Sequence, residues 1–308
     1  MKIYQLITFL LFVFITPLLA QNNLPLQIGD SNIRPLGSLV STSFQNSLEF
    51  ELMKNPIWKK LIKQNRMAVG VVDLSNPEQA KFASVNGDYM MYAASLPKIA
   101  ILLAAEDAID KKELKETPEI KSDLRQMISK SNNQAATRMI DRLGYKKIQS
   151  VLTDPQYKFY DKNTGGGLWV GKRYAKGGST NRESLKSLSH AATVNQVCRY
   201  YYMLANGELV SRDRSKIMLD ILVNPELHHK FVNTLDKIAP EATLYRKSGS
   251  WKDFHSDSVL VWDTDPARRY IVVALINDPS GELIIRNLIK PVEKAINSLS
   301  QKGGLTSK

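Results

Sequence analysis

Apolar and polar positions alternate along this chain in two distinct periods. Helical spacing runs through 47–63, "SLEFELMKNPIWKKLIK", with an interruption at Pro56. The run "MAVGVVDL" over 67–74 predicts a buried strand, and "SNPEQ" a turn. The stretch "KFASVNGDYMMYAA" over 81–94 reads as a second strand carrying its own Asn-Gly turn signal. An apolar helix with almost no polar face then opens near Ser95, in "YAASLPKIAILLAA". "PEIKSDLRQMISK" and "QAATRMIDRLG" predict two amphipathic helices, the second closed by Gly144. Tyr157 to Gly178 has no regular period and reads as a long loop. Helical spacing returns over 192–207 and 211–222, three strands follow over 242–250, 257–264 and 268–278, and a terminal helix spans 281–300.

The order is helix, two strands, a long helical block, three strands and a helix. Strands from both ends can pair into one antiparallel sheet. The expected fold class is therefore α/β of the α+β type: an antiparallel sheet flanked by N- and C-terminal helices, with an inserted all-helical lobe. The expected boundaries are a sheet lobe over 45–94 and 243–302, a helical lobe over 95–242, and a short tail over 303–308. Residues 21–44 are rich in Pro, Gly, Ser and Asn and read as a leader. A crevice between two such lobes is a common place for a small-molecule site.

Ahead of the leader, Lys2 and the apolar stretch ending at Ala20 read as a secretory signal peptide over 1–20. That predicts a periplasmic or secreted protein, meeting the membrane only during export. The sole cysteine, Cys198, excludes an intramolecular disulfide and sits in an apolar helical context, so it is expected as packing. Across 308 residues, 42 Lys and Arg against 30 Asp and Glu give a formal charge of +12. No nucleic-acid motif accompanies that charge, so nucleic acid is not an expected partner. The four histidines, His190, His228, His229 and His255, lack metal-ligand spacing. No metal or other cofactor is implied, and a monomer is expected.

Three short motifs carry candidate chemistry. Ser95-Leu96-Pro97-Lys98 is the only Ser-x-x-Lys in the chain, at a predicted helix start where Pro97 fits the first turn. Ser95 and Lys98 share a helix face, and a desolvated lysine can activate a serine hydroxyl. Ser131-Asn132-Asn133 lies between the two amphipathic helices and offers a hydroxyl and an amide. Lys247-Ser248-Gly249 lies in a late strand. There Gly249 permits close backbone approach, and Lys247 supplies a second cation that would depress the Lys98 pKa. Each also has a plain structural reading: an N-cap, a second N-cap and an edge-strand lysine.

Taken in this order, the three motifs resemble those of the penicillin-recognising serine hydrolases, specifically the class A β-lactamase-like family. The resemblance spans about Leu48 to Leu299. It implies Ser95 as the acylated nucleophile, Lys98 as a candidate base and Ser131 as a proton relay. It further implies Asn133 as a substrate-amide ligand, Lys247 and Ser248 at the substrate carboxylate, Gly249 as a substrate-binding position, and an oxyanion hole from the backbone N–H groups of Ser95 and Ser250. Substrates would be β-lactams or peptidoglycan peptides.

The chain departs from that family in several places. Asn132 stands where class A enzymes usually carry Asp, and Ser248 replaces Thr. The segment from Ser95 to Ser131 is short, which implies a wider cleft. The glutamate that activates the deacylating water has no matching pattern. Between Asn163 and Asn206 the only carboxylate is Glu183, which remains the sole candidate for a displaced equivalent or a solvated surface residue. Without such a base an acyl-enzyme would persist. The loop "GGGLWVGKRYAKGG" brings Trp169, Lys172, Arg173, Tyr174 and Lys176, which suits an anionic or sugar-bearing ligand. Three functions follow as expectations: a β-lactamase-like hydrolase, a peptidoglycan DD-peptidase with the same residues, and a non-catalytic cell-wall-binding module.

Overall fold

The computed structural model describes residues 24–29 and 32–303. The expected signal peptide over 1–20 lies outside the described residues, as do residues 304–308 of the tail. No helix among the described residues is long and apolar enough to cross a membrane.

In chain order, α1 (Thr42–Met53) and α2 (Pro56–Lys63) precede β1 (Met67–Asp73), β2 (Lys81–Val85) and β3 (Met91–Tyr92). The helices α3 (Lys98–Asp110), α4 (Pro118–Ser129) and α5 (Asn133–Thr153) follow. Short strands β4 (Tyr160–Asp161), β5 (Gly166–Gly167), β6 (Trp169–Val170) and β7 (His190–Ala192) lead to α6 (Val194–Asn206), α7 (Arg212–Leu222) and α8 (Phe231–Ile238). The chain closes with β8 (Thr243–Trp251), β9 (Phe254–Trp262), β10 (Arg269–Asn277) and α9 (Gly281–Gly303).

The main sheet has the order β2-β1-β10-β9-β8, antiparallel throughout. Its central strands read as continuous apolar runs because both faces are covered. Along β1, Val69 and Val71 join one core while Ala68 and Val72 join the other. Along β10, Val272 and Ala274 face the first, and Ile271 and Val273 the second. The first core is closed by α1, α8 and α9, through residues such as Phe44, Phe231 and Ile285. The second is the helical lobe, with α3 at its centre. Gly70 lets α6 seat on β1: an added Cβ there would stand 2.8 Å from the Cys198 sulfur. Burial raises the pKa of that thiol, in keeping with packing.

Four local expectations change. The leader does not hang free: Leu24, Leu26, Leu36 and Leu39 are buried in the helical-lobe core. Their spacing carries no period, so only tertiary packing reveals them. The second predicted strand ends at Val85, Asn86 turns with φ 52°, and Met91–Tyr92 joins β7 and β6 in a separate sheet. The helix expected to stop at Gly144 breaks there, at φ 73°, and resumes to Thr153. The long loop over 157–178 is pinned by β4, β5 and β6. In addition, α8, counted with the helical lobe, packs on α9, where the Thr234 hydroxyl donates to the Arg286 carbonyl at 2.6 Å.

The buried leader leads to a stability prediction. Leu26→Ala should lower the unfolding free energy by about 2–3 kcal/mol, read from chemical denaturation, whereas a free linker would show no change.

Candidate active site

Ser95 sits in the turn that precedes α3, following Ala94 with φ 50°. The turn is held by a Leu96 N–H bond to the Ala93 carbonyl at 3.0 Å and by the Ser256 hydroxyl on that same carbonyl at 2.7 Å. Lys98 N–H donates to the Ser95 carbonyl at 3.2 Å, one turn on. No hydrogen bond to the Ser95 N–H or hydroxyl is found among the described residues.

Lys98 is fully buried. Its ammonium donates to the Ser131 carbonyl at 2.6 Å, the Asn133 Oδ1 at 2.8 Å and the Ser131 Oγ at 3.4 Å. It also lies 4.5 Å from the centroid of the Tyr174 ring. Burial lowers its pKa to about 7. From the opposite wall, the Lys247 ammonium donates to the same Ser131 Oγ at 2.9 Å and to the Ser248 carbonyl at 2.6 Å. Burial pushes Lys247 well below the usual lysine range, and the neighbouring Lys98 charge adds to the effect. Two amines on one hydroxyl disfavour each other's charged form, so the pair titrates together.

The strands and helices fix these positions for identifiable reasons. Asp123 on α4 takes Arg138 at 2.5 Å and Arg142 at 2.6 Å from α5, locking the two helices that flank Ser131. Ser131 itself turns the chain with φ 55°, and Asn132, not Ser131, caps α5 by accepting from the Ala135 N–H at 2.9 Å. Ser131 and Asn133 are thereby left to face Lys98. On β8, a Cβ at Gly249 would come within 2.4 Å of the Ser95 nitrogen and 2.6 Å of the Ala93 oxygen. Only glycine lets this strand lie against the Ser95 turn.

One residue here carries no sequence signal. Lys230, fully buried at φ 58°, donates to the Gly249 carbonyl at 2.5 Å, the Ser250 Oγ at 2.8 Å and the Ser256 carbonyl at 3.0 Å. All three ammonium donors are used, clamping β8 to β9 beside Ser250. Burial lowers its pKa to about 8. Its loop is held in turn by Arg246, which pairs with Asp257 at 2.7 Å and donates to the Leu227 carbonyl at 2.6 Å. "HHKFV" reads as an ordinary polar turn; only packing shows the lysine pointing inward.

Ser95, Asn133 and Ser250 line a cavity of about 690 Å³. Lys98, Ser131 and Lys247 stand behind them. Ser248 is buried in the strand wall with Gly249. Lys172, Arg182, His190, Tyr92 and Phe254 line the same cavity. His190 bridges the Ser189 hydroxyl at 3.1 Å and the Lys172 carbonyl at 3.0 Å. Burial first, then the nearby cations, lower its pKa to about 4, so the ring is neutral at pH 7.

Glu183 is neither a solvated surface residue nor a cavity residue. It is 2% exposed and accepts from the N–H groups of Leu185 at 2.7 Å, Lys186 at 2.9 Å and Leu188 at 2.7 Å, and from the Tyr160 hydroxyl at 3.0 Å. Burial raises its pKa, but these backbone donors outweigh that and hold the carboxyl below its usual range. A carboxylate so engaged organises its own loop and is poorly disposed to activate water.

An antiparallel sheet with a helical lobe, meeting at a serine backed by two buried lysines, defines the serine hydrolases of β-lactamase and penicillin-binding type. The profile described as the beta-lactamase enzyme family matches residues 57–123 and 116–302, and the chain belongs to that family. Similar solved structures include a beta-lactamase from Sphaerobacter thermophilus, at 17% identity and TM-score 0.57, covering 87% of this chain and 99% of that one. The structure titled PBP-A is 19% identical at TM-score 0.59, covering 85% and 97%. A class A beta-lactamase from Bacteroides cellulosilyticus is 15% identical at TM-score 0.60, covering 84% and 100%. These likenesses show the fold. A comparison with curated proteins finds no match.

The Glu183 contacts can be tested by pH. The contribution is full above the ordinary glutamate pKa and is lost as pH falls through the lower folded value. Glu183→Ala should cost on the order of 3 kcal/mol at pH 7 and abolish hydrogen-exchange protection at the amides of Leu185, Lys186 and Leu188. Unchanged protection would show that another group satisfies them.

Proposed function

We propose that the protein is an exported acyl-serine hydrolase that opens β-lactams or related amides at Ser95. The observation carrying this reading is the meeting of Lys98 and Lys247 on the Ser131 hydroxyl, from three distant segments, beside an unbonded serine. Ser95 Oγ attacks the carbonyl carbon and passes its proton to the neutral Lys98 amine. The oxyanion forms between the N–H groups of Ser95 and Ser250, which the Gly249 approach brings together. The carbon–nitrogen bond then breaks. Its nitrogen takes a proton from Ser131, which Lys98 replenishes. Asn133 holds the substrate amide. Lys247 and Ser248 supply the positive wall for a substrate carboxylate.

Deacylation is slow in this reading. Among the described residues no carboxylate lines the cavity, and Glu183 is committed to its own loop. The same observation favours a second reading, a cell-wall peptidase for which β-lactams act as trapping inhibitors.

Two experiments test the proposal. Incubation with a fluorescent penicillin and a chromogenic cephalosporin, followed by intact mass measurement, should give a persistent single adduct and little turnover. Ser95→Ala should give none. Rapid continuous turnover would eliminate slow deacylation, and no adduct would eliminate acyl-serine chemistry. The second experiment is a pH profile. Only the neutral lysine accepts a proton, so the acylation rate should rise with pH through a midpoint near 7 and then level. Lys98→Ala should lower that rate by about 100-fold or more.

A further inference from the structure

The part of the cavity wall supplied by residues 172–190 has a composition that the chemistry above does not require. Lys172, Arg173, Lys176 and Arg182 line it, and no Asp or Glu does among the described residues. Arg173 is neutralised by Asp141 at 2.5 Å. The other three carry no ion pair among the described residues; the Arg182 guanidinium donates only to the Ser187 carbonyl, at 2.8 Å. Their charge is felt inside the site: Lys172 and Arg182 both help hold His190 in its neutral form, and Arg182 acts on Tyr92.

This wall is built rather than loosely draped. Lys172 and Arg182 sit on either side of a backbone bridge in which the Asn181 N–H donates to the Gly171 carbonyl at 2.8 Å. The Trp169 indole donates to the Asn181 carbonyl at 2.7 Å, and an added Cβ at Gly171 would overlap that same carbonyl. His190 holds the Lys172 carbonyl, while Glu183 ties down the turn that follows Arg182. Lys172 is half-buried, and the exposed Arg182 is held at its guanidinium by the Ser187 carbonyl. Cations fixed at the rim of a partly apolar cavity attract an anion more strongly than mobile surface lysines do. In the same cavity Tyr92 and Phe254 make an edge-to-face pair at 5.4 Å, and with Trp251 they offer apolar surface to the body of a ligand.

We infer that this wall, which shares its cavity with Trp251 on the side of Ser250 away from Lys247 along β8, is a subsite for a carboxylate carried on the acyl side of the substrate, separate from the carboxylate that faces Lys247. The inference rests on the reading of Ser95 as the acylated residue. The preferred substrate then carries a negative charge on each side of the scissile amide. A side-chain-carboxylated β-lactam and an acidic peptide both have this chemistry.

Carbenicillin and benzylpenicillin differ by one side-chain carboxylate and provide the test. Acylation rates of each, measured in competition with a fluorescent penicillin, should favour carbenicillin by about tenfold or more, a difference of about 1.4 kcal/mol. The ratio should fall towards one with rising salt. It should also fall towards one in Lys172→Met/Arg182→Met, and partly in the exposed Lys176→Gln, which tests the same field without touching the loop. A second arm compares peptide thioesters with glutamyl and glutaminyl acyl groups. Preference in both arms marks a peptide donor, and preference among the penicillins alone marks a β-lactam. Equal rates for charged and neutral members of both pairs, with Ser95 acylated, would overturn the subsite. No acylation by any reagent would remove the reading of Ser95 and the subsite with it.

Discussion

Two lysine amines buried on one serine hydroxyl set the terms for the rest of this structure. Removing an ammonium from water costs several kcal/mol, and two of them around Ser131 Oγ oppose each other as well. The fold meets that cost with oxygen atoms. Lys98 has the Ser131 carbonyl and the Asn133 amide oxygen; Lys247 has the Ser248 carbonyl. No carboxylate bonds either amine among the described residues. A carboxylate partner would pin a lysine in its charged form, whereas neutral oxygens leave the proton free to move. The energetic weakness of the arrangement is therefore what keeps Lys98 titrating near neutrality.

A site of this kind needs its walls held from outside, because its own contacts are poor anchors. The Arg246–Asp257 pair fixes the loop before α8, that loop aims Lys230 at Gly249, and Lys230 draws β8 and β9 together beside Ser250. On the other side, Asp123 ties α4 to α5 and so sets the turn that carries Ser131. The buried members of these supports, Asp123, Asp257 and Lys230, all have partners, as buried polar networks require. The arginines of these supports are ion-paired with Asp123 and Asp257, whereas the three buried lysines, Lys98, Lys247 and Lys230, are held by neutral oxygens alone among the described residues.

Much of the architecture was legible in the sequence. Continuous apolar runs along 67–74 and 268–278 are enough to mark strands covered on both faces, and the three motifs mark which segments must meet. What was not legible depends on direction rather than period. Leu24, Leu26, Leu36 and Leu39 lie among turn-forming residues, so their burial follows only from the surface they cover. Nothing distinguishes Lys230 from its exposed neighbours except where the Arg246 contacts turn it. Glu183 was visible as the lone carboxylate of its region, but its partners are backbone N–H groups, which every sequence possesses and none advertises. The Asn-Gly signal marked the turn at Asn86, whose amide bonds the Ile62 and Met67 carbonyls, but not that Met91–Tyr92 beyond it leaves for a separate sheet.

The contact at Gly249 also constrains how such a protein can diversify. With strand backbone against the Ser95 turn and no room for even a methyl group, that side of the crevice tolerates no change in size without moving the serine. The segment over 171–190 is anchored by a backbone bridge and by a few side chains, Trp169, Glu183 and His190, leaving many of its other side chains replaceable. Descendants of this chain would keep one wall frozen and rewrite the other, so that appetite for new ligands could shift while the turn carrying Ser95 stayed as it is.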